Sequence, residues 1–223
     1  MAQPNIKQII KQEYIKCAKD PVYFMKKYCW IQHPTRGRVQ FNLYPFQEGA
    51  LNLLQKNDRN IILKSRQLGI STLSAGISLW MMVFQKDKAI LVVATKQDTA
   101  KNLVTKVKFM YDNLPSWLQI GFVENNKLAL RLKNGSQVKA VSAASDAGRS
   151  EAISLLIIDE AAFIEENRIE EIWGSSQQTL STGGRAIVLS TPNGTGNFFH
   201  RMWTKAEEGA NGFVPIRLPW TVH

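Results

Sequence analysis

The sequence has 223 residues, 44% of them hydrophobic and 21% charged, which suits one large folded core with a small addition and excludes a mainly disordered chain. Its 28 Lys and Arg against 18 Asp and Glu give a formal charge of +10, which favours a polyanionic partner such as nucleic acid. Two cysteines, Cys17 and Cys29, give no disulfide framework and no zinc site. Met1 to Lys11 holds no apolar leader core, and no run reaches the roughly 18 apolar residues that span a bilayer, so a reducing cytoplasm is expected and no membrane.

Ile6, Ile9, Ile10, Tyr14 and Cys17 recur at spacings of three and four, which predicts a helix over Ile6 to Lys19 with one apolar stripe. Asp20-Pro21 is a strong start signal, because Asp caps a helix and Pro suits its first position, so Val22 to Tyr28 reads as a second helix. Trp30 to Asn42 reads as irregular. Residues 1–42 are expected to form a helical appendage, and residues 43–223 the main domain.

From Asn60 onward, short apolar runs alternate with helical patterns, the signature of crossover units on a mainly parallel sheet. The predicted strands are Ile61 to Leu63, Ala89 to Ala94, Leu155 to Ile158 and Ala186 to Leu189, whose unbroken apolar character implies burial on both faces. Helices are predicted over Ser71 to Phe84, Gln97 to Asn113, Arg168 to Gln178 and Asn197 to Glu208. Leu128, Leu130 and Leu132 alternate with Ala129, Arg131 and Lys133, then Asn134-Gly135 supplies a tight turn before Gln137 to Val141. This reads as an inserted hairpin. The fold class is therefore α/β, with a mainly parallel sheet flanked by helices.

Directly after the first buried strand comes Lys64-Ser65-Arg66-Gln67-Leu68-Gly69-Ile70-Ser71-Thr72, followed by a helix. Backbone N–H groups at such a strand-to-helix turn form an anion site, and a hydroxyl one step into the helix can hold magnesium. The pattern G-x-x-x-x-G-K-[ST] is broken twice: Lys64 stands where the first glycine belongs, and Ile70 where the lysine belongs. Lys64 at the mouth of the loop, with Arg66 as a second cation, is placed to supply the missing charge.

Leu155-Leu156-Ile157-Ile158-Asp159-Glu160 ends a buried strand in two acids, at the sheet edge where open α/β folds bind ligands. The first acid suits magnesium; the second can polarise a water that attacks a γ-phosphate. The long gap between this pair and the loop contains a further strand, Ala89 to Ala94. An additional strand between the two motifs marks the motor branch of the P-loop nucleotide hydrolases, so the expected fold is an α/β P-loop hydrolase of that type. Ser190-Thr191-Pro192-Asn193-Gly194 follows the last predicted strand and is in any case strong turn chemistry.

These residues together resemble the large terminase of tailed double-stranded DNA bacteriophages, in the branch whose phosphate loop reads Ser-Arg-Gln-Leu-Gly. Leu43-Tyr44-Pro45-Phe46-Gln47 is similar to the family's adenine motif, Ser65 to Thr72 to its phosphate loop, Ile157 to Ala161 to its acid pair, and Ser190 to Gly194 to its coupling motif. Order and spacing agree from about Asp20 to the last residue. The resemblance implies that Gln47 meets the adenine edge with Tyr44 nearby, that Lys64 and Arg66 neutralise phosphates, and that Gly69 permits close backbone approach. It implies Ser71 and Asp159 around Mg2+ and Glu160 as the catalytic carboxylate. Arg149 would reach the ATP of a neighbouring subunit, a device that can raise the rate by roughly 10³ to 10⁵. Ile70 departs from the family's usual lysine, while Lys64 matches members that carry it at the loop's start.

The implied partners are ATP, double-stranded DNA, a portal protein, the small terminase subunit and further copies of the chain in a five-membered ring. The implied setting is the host cytoplasm, transiently on the viral procapsid. Terminases pair an ATPase with a metal-dependent nuclease; no later acidic cluster follows here, so nuclease activity is not expected from this chain. A motor grips DNA through its backbone, for which Lys101, Lys106 and Lys108 on one helix, and Lys127, Arg131, Lys133 and Lys139 on the hairpin, are the candidates. Two other functions share these features: a helicase-like translocase, and a nucleotide-gated DNA-binding module without hydrolysis.

Overall fold

The structure is a computed structural model that describes residues 5–143, 152–180 and 183–222. Helix α1 (Ile6–Lys19) is capped by Asn5, whose side chain accepts from Lys7 N at 3.1 Å. The expected apolar stripe is only partly covered: Cys17 is buried, but Ile6 and Ile9 are exposed, because only the C-terminal turns of α1 reach the body. There Tyr14 packs edge-on against Phe84, and Trp80 Nε1 donates to Cys17 O at 2.9 Å.

Asp20 caps α2 (Pro21–Tyr28), accepting from Tyr23 N at 2.9 Å, with Pro21 at the first helical position. The stretch expected to be irregular is instead an antiparallel hairpin, β1 (Trp30–His33) and β2 (Gly37–Gln40). Its turn is organised by the His33 ring, where Nδ1 accepts from Thr35 N and Arg36 N, each at 3.2 Å. Nothing in the local apolar pattern announces these two four-residue strands; cross-strand pairing and packing on neighbouring helices stabilise them.

Then come α3 (Pro45–Lys56), β3 (Arg59–Lys64), α4 (Ile70–Phe84), β4 (Ala89–Ala94) and α5 (Gln97–Asp112). They are followed by β5 (Phe122–Asn125), β6 (Ala129–Leu132), β7 (Gln137–Ser142), β8 (Leu155–Asp159), α6 (Glu166–Leu180), β9 (Arg185–Ser190), α7 (Phe198–Glu207) and β10 (Val214–Leu218). Eight strands form one sheet in the order β10-β3-β9-β8-β4-β7-β6-β5. It is parallel from β10 to β7 and antiparallel from β7 to β5.

The continuous apolar runs serve two cores. Ile62, Val92, Ile157 and Leu189 face the side covered by α3, α4 and α5, while their neighbours Ile61, Val93, Ile158 and Val188 face the side covered by α6 and α7. Phe24, Met25 and Cys29 from the N-terminal segment are fully buried in the first of these cores.

The strand that separates β3 from β8 in space is β9; β4, the one that intervenes in sequence, lies beyond β8. The inserted hairpin is part of the sheet, since its second strand, β7, pairs in parallel with β4. Asn134 at its turn fastens it further by donating to Met82 O at 2.8 Å and Gln85 O at 3.0 Å, the end carbonyls of α4. At the other side of the sheet, Arg185 at the start of β9 closes the C-terminus of α3. Its guanidinium donates to Leu54 O, to Gln55 O at 2.9 Å and to Asn57 O at 3.1 Å.

Candidate active site

The C-terminal ends of β3, β9 and β8 lie side by side, so three chain segments distant in sequence meet at one sheet edge. From β3 the chain turns through a loop held by Ser65 N donating to Leu218 O at 2.9 Å. Gln67 (φ 63°) and Gly69 (φ 70°) take left-handed conformations, and α4 starts at Ile70. The first intrahelical bond is Leu73 N to Gly69 O at 2.9 Å, so the N–H groups of Ile70, Ser71 and Thr72 have no acceptor within the helix. They face a cavity of about 330 Å³ bordered by Lys64, the loop from Arg66 to Thr72, Lys106 and Glu160. Leu68 is buried, while Arg66 and Gln67 are exposed.

Ile70, the departure noted in the sequence, is only 1% exposed and its side chain belongs to the core beneath the loop. Lys64 is also buried, and its ammonium meets Glu160 Oε1 at 2.6 Å. Glu160 has φ 53°, a conformation a glutamate adopts at a cost of order 1–3 kcal/mol. That backbone aims its carboxylate back over the end of β9. There Oε2 accepts from Thr191 N and Thr191 Oγ1, both at 3.1 Å, and from Ser190 Oγ at 3.4 Å. Burial pushes the Glu160 carboxyl up, but the Lys64 ammonium and the Thr191 donors outweigh it and hold the group below its ordinary value.

Asp159 is 6% exposed, and its Oδ2 accepts from Ser71 Oγ at 2.8 Å. Its Oδ1 is buried with no hydrogen-bond partner among the described residues. Burial raises the Asp159 carboxyl, with Ser71 and Lys64 opposing. A hydroxyl and an unpartnered carboxylate oxygen side by side are hard ligands suited to a magnesium ion.

The adenine-motif residues lie beside the loop. Gln47, 3% exposed, accepts from Tyr44 N at 3.1 Å through Oε1 and donates to Leu68 O at 2.9 Å through Nε2. Its amide thus ties the start of α3 to the loop and has one N–H left for a ligand. Tyr44 is half exposed and stacks on Phe46 with centroids 5.7 Å apart. Beside them opens a second cavity of about 640 Å³, whose opposite wall is the β1–β2 hairpin, with His33 and Arg36 on it. That wall was not anticipated from the sequence; the only local signal for it is Arg36-Gly37 at a turn.

Of the residues singled out after β9, Ser190 and Thr191 are buried against Glu160, and Ser190 Oγ also accepts from Ala162 N at 3.1 Å. Asn193 donates to Ala162 O at 3.0 Å, so it braces the turn that follows the acid pair. Pro192 and Gly194 are exposed. Arg149 lies outside the described residues.

The seven basic residues offered for DNA do not share one surface. Lys101, Lys108 and Lys127 border a cleft of about 380 Å³ between α5 and the β5–β6 turn, although Lys108 is ion-paired with Asp112 at 2.5 Å. Arg131 and Lys133 are exposed on the hairpin. Lys139 alternates with Val138 and Ala140, which pack on the α5 side, so it projects from the opposite face of the sheet. Lys106 lies elsewhere again, at the border of the phosphate-loop cavity. The helical period explains the difference, because Lys106 adjoins the buried positions Leu103, Val107 and Met110 that dock α5 on the domain.

A family model described as "Terminase large subunit, T4likevirus-type, N-terminal" matches residues 61–221. Among solved structures, the large terminase of bacteriophage HK97 superposes with a TM-score of 0.73 at 17% identity, over 91% of this chain and 43% of that one. The chain therefore spans less than half the length of that protein. The large terminase ATPase domain of Thermus phage P74-26 superposes with a TM-score of 0.66 at 19% identity, over 82% of this chain and 83% of that domain. The large terminase of a thermophilic bacteriophage in complex with ATP-gamma-S gives a TM-score of 0.60 at 12% identity, over 79% of this chain and 44% of that one.

Proposed function

We propose a function for a chain that belongs to the T4-like large terminase family and carries its N-terminal part: it is an ATP-hydrolysing motor domain that drives double-stranded DNA into a viral procapsid. The observation that carries this reading is the convergence of two distant segments at a helix start: Lys64, Ser71 and Glu160 border one cavity, and Asp159 is bonded to Ser71 beside it. The ATP-gamma-S complex of a relative supports the choice of nucleotide.

In this mechanism the N–H groups of Ile70, Ser71 and Thr72 hold phosphate oxygens, and Gln47 with Tyr44 borders the base. The loop residues Ser65, Gln67 and Leu68 shape the turn, and Arg66 with Lys64 neutralises phosphate charge. Ser71 and Asp159 would hold Mg2+, which neutralises charge on the outer phosphates when bound. Glu160 orients and deprotonates the attacking water once its grip on Lys64 and Thr191 is loosened. Ser190 and Thr191, bonded to Glu160, pass the change to the turn Pro192, Asn193, Gly194 and the helix behind it. Arg149 would act on the ATP of an adjoining copy in a five-membered ring.

The chain would act in the host cytoplasm, with the portal and the small terminase subunit as partners and DNA held through lysines such as the half-buried Lys101 and the exposed Lys127. The test is magnesium-dependent phosphate release by the purified chain, with and without double-stranded DNA. Release unaffected by Glu160→Gln would remove the catalytic assignment. A DNA-unwinding assay separates this motor from a helicase.

A further inference from the structure

Bound phosphates need cations, and the usual one is absent from this loop, since the Ile70 side chain goes into the core. Lys64 is 8% exposed and closed onto Glu160 at 2.6 Å. Arg66, on the loop itself, borders the cavity but is exposed to water. One more cation borders the cavity, and it comes from outside the loop. Lys106 rises from α5, which packs along α4, and with Thr72 it borders both the phosphate-loop cavity and an adjoining cavity of about 380 Å³.

Lys106 is half-buried and forms no ion pair with a carboxylate among the described residues. Its burial pulls the ammonium below its ordinary value, while Asp159 acts in the opposite direction. A cation withdrawn from water without a counter-ion is an unfavourable arrangement that an anion in the cavity would relieve.

We propose that Lys106 contacts the outer phosphates of the bound nucleotide, an ammonium delivered from α5 in place of the lysine that the loop lacks at Ile70. This rests on the reading of the cavity as an ATP site. It gives the site, beside Arg66, a further source of charge that stays available while Lys64 is engaged with Glu160.

Calorimetric titration of the whole chain with Mg-ATP-gamma-S and with Mg-ADP tests it. Lys106→Met keeps the apolar stem and removes the charge, and Lys106→Arg keeps the charge. Loss of a charge-assisted contact weakens ATP-gamma-S binding about tenfold to a hundredfold in Lys106→Met, with a smaller loss for ADP. Lys106→Arg stays within a few-fold of wild type, and Lys205→Met, on the far face, matches wild type. Equal binding by Lys106→Met and wild type overturns the inference alone. Equal weakening by Met and Arg assigns Lys106 a packing role and also overturns it. A wild-type chain that binds neither nucleotide overturns the ATP-site reading as well.

Discussion

Lys64 and Glu160 close a 2.6 Å ion pair across the end of β9, although their own strands, β3 and β8, are not neighbours in the sheet. The contact holds the one carboxylate suited to activate water in a state where both its oxygens already accept hydrogen bonds. Lys64→Ala should therefore lower hydrolysis by removing a phosphate cation and by releasing Glu160 from its position. Glu160→Gln should stop turnover while leaving nucleotide binding nearly intact. Losses of about 10² to 10⁴ in phosphate release are expected for each. Tight binding of ATP-gamma-S by Glu160→Gln, measured alongside, distinguishes a lost base from a lost site.

Asp159 carries the opposite strain. Its raised carboxyl binds a proton more tightly in the folded chain than in the unfolded one, so stability falls as pH rises above the ordinary value of 3.8 toward the folded one. Asp159→Asn removes that penalty and keeps an acceptor for Ser71. In chelator, at neutral pH, the variant should gain on the order of 1 kcal/mol, a rise of about 2–4 °C in Tm. Adding magnesium and nucleotide should stabilise the wild type and barely move the variant. A variant that melts below the wild type in chelator contradicts this account.

Gly69 joins two constraints. Its φ of 70° disfavours any side chain, and an added Cβ would lie 2.7 Å from the Gln47 Nε2 that bonds Leu68 O. Gly69→Ala should lose about 1–3 kcal/mol and loosen nucleotide binding through Gln47. Because one part of the loss is a clash with Gln47, the double variant with Gln47→Ala should lose less than the sum of the singles. Denaturant melts of the four proteins give that comparison, and strict additivity would show that the clash is not felt.

The anchoring of α1 has a pH signature of its own. Hydrogen bonds from Lys27 first, then Tyr23, bring the Glu13 carboxyl down to about 2, against a partial opposing effect of burial. A depressed carboxylate stabilises the fold above its unfolded value of 4.5 and loses that contribution as pH falls toward 2. Protection of the α1 amides, measured as exchange relative to the intrinsic rate at each pH, should therefore fall over this interval in the wild type. Glu13→Gln should show lower protection already at neutral pH and little further loss on acidification.

The parts of this fold legible in the sequence are those whose pattern is set by deep burial. Strands β3, β4, β8 and β9 feed two cores at once, so their apolar runs are unbroken. β10 is an edge strand interrupted by Pro215 and Arg217, which its position tolerates, and β5 is a half-exposed edge. Only pairing with distant residues identifies such strands. The site divides in the same way. Ser71, Asp159 and Glu160 sit at element ends, where local grammar marks them, whereas Lys106 reaches the phosphate cavity through the docking of α5 on α4. Among several lysines on one helix, sequence alone does not tell the inward one from its neighbours.

Helix α3 is fastened at both extremities, by Gln47 to the loop at its first turn and by Arg185 to the root of β9 at its last. It works as a strut, and the wall beside the base cannot shift without dragging the sheet. Displacement generated by a change in the nucleotide then has to emerge where the chain is not braced in this way. The stretch beyond Thr191, which Asn193 ties to the turn after Glu160 and which runs through positive-φ Gly194 and Gly196 into α7, is the route that this frame leaves.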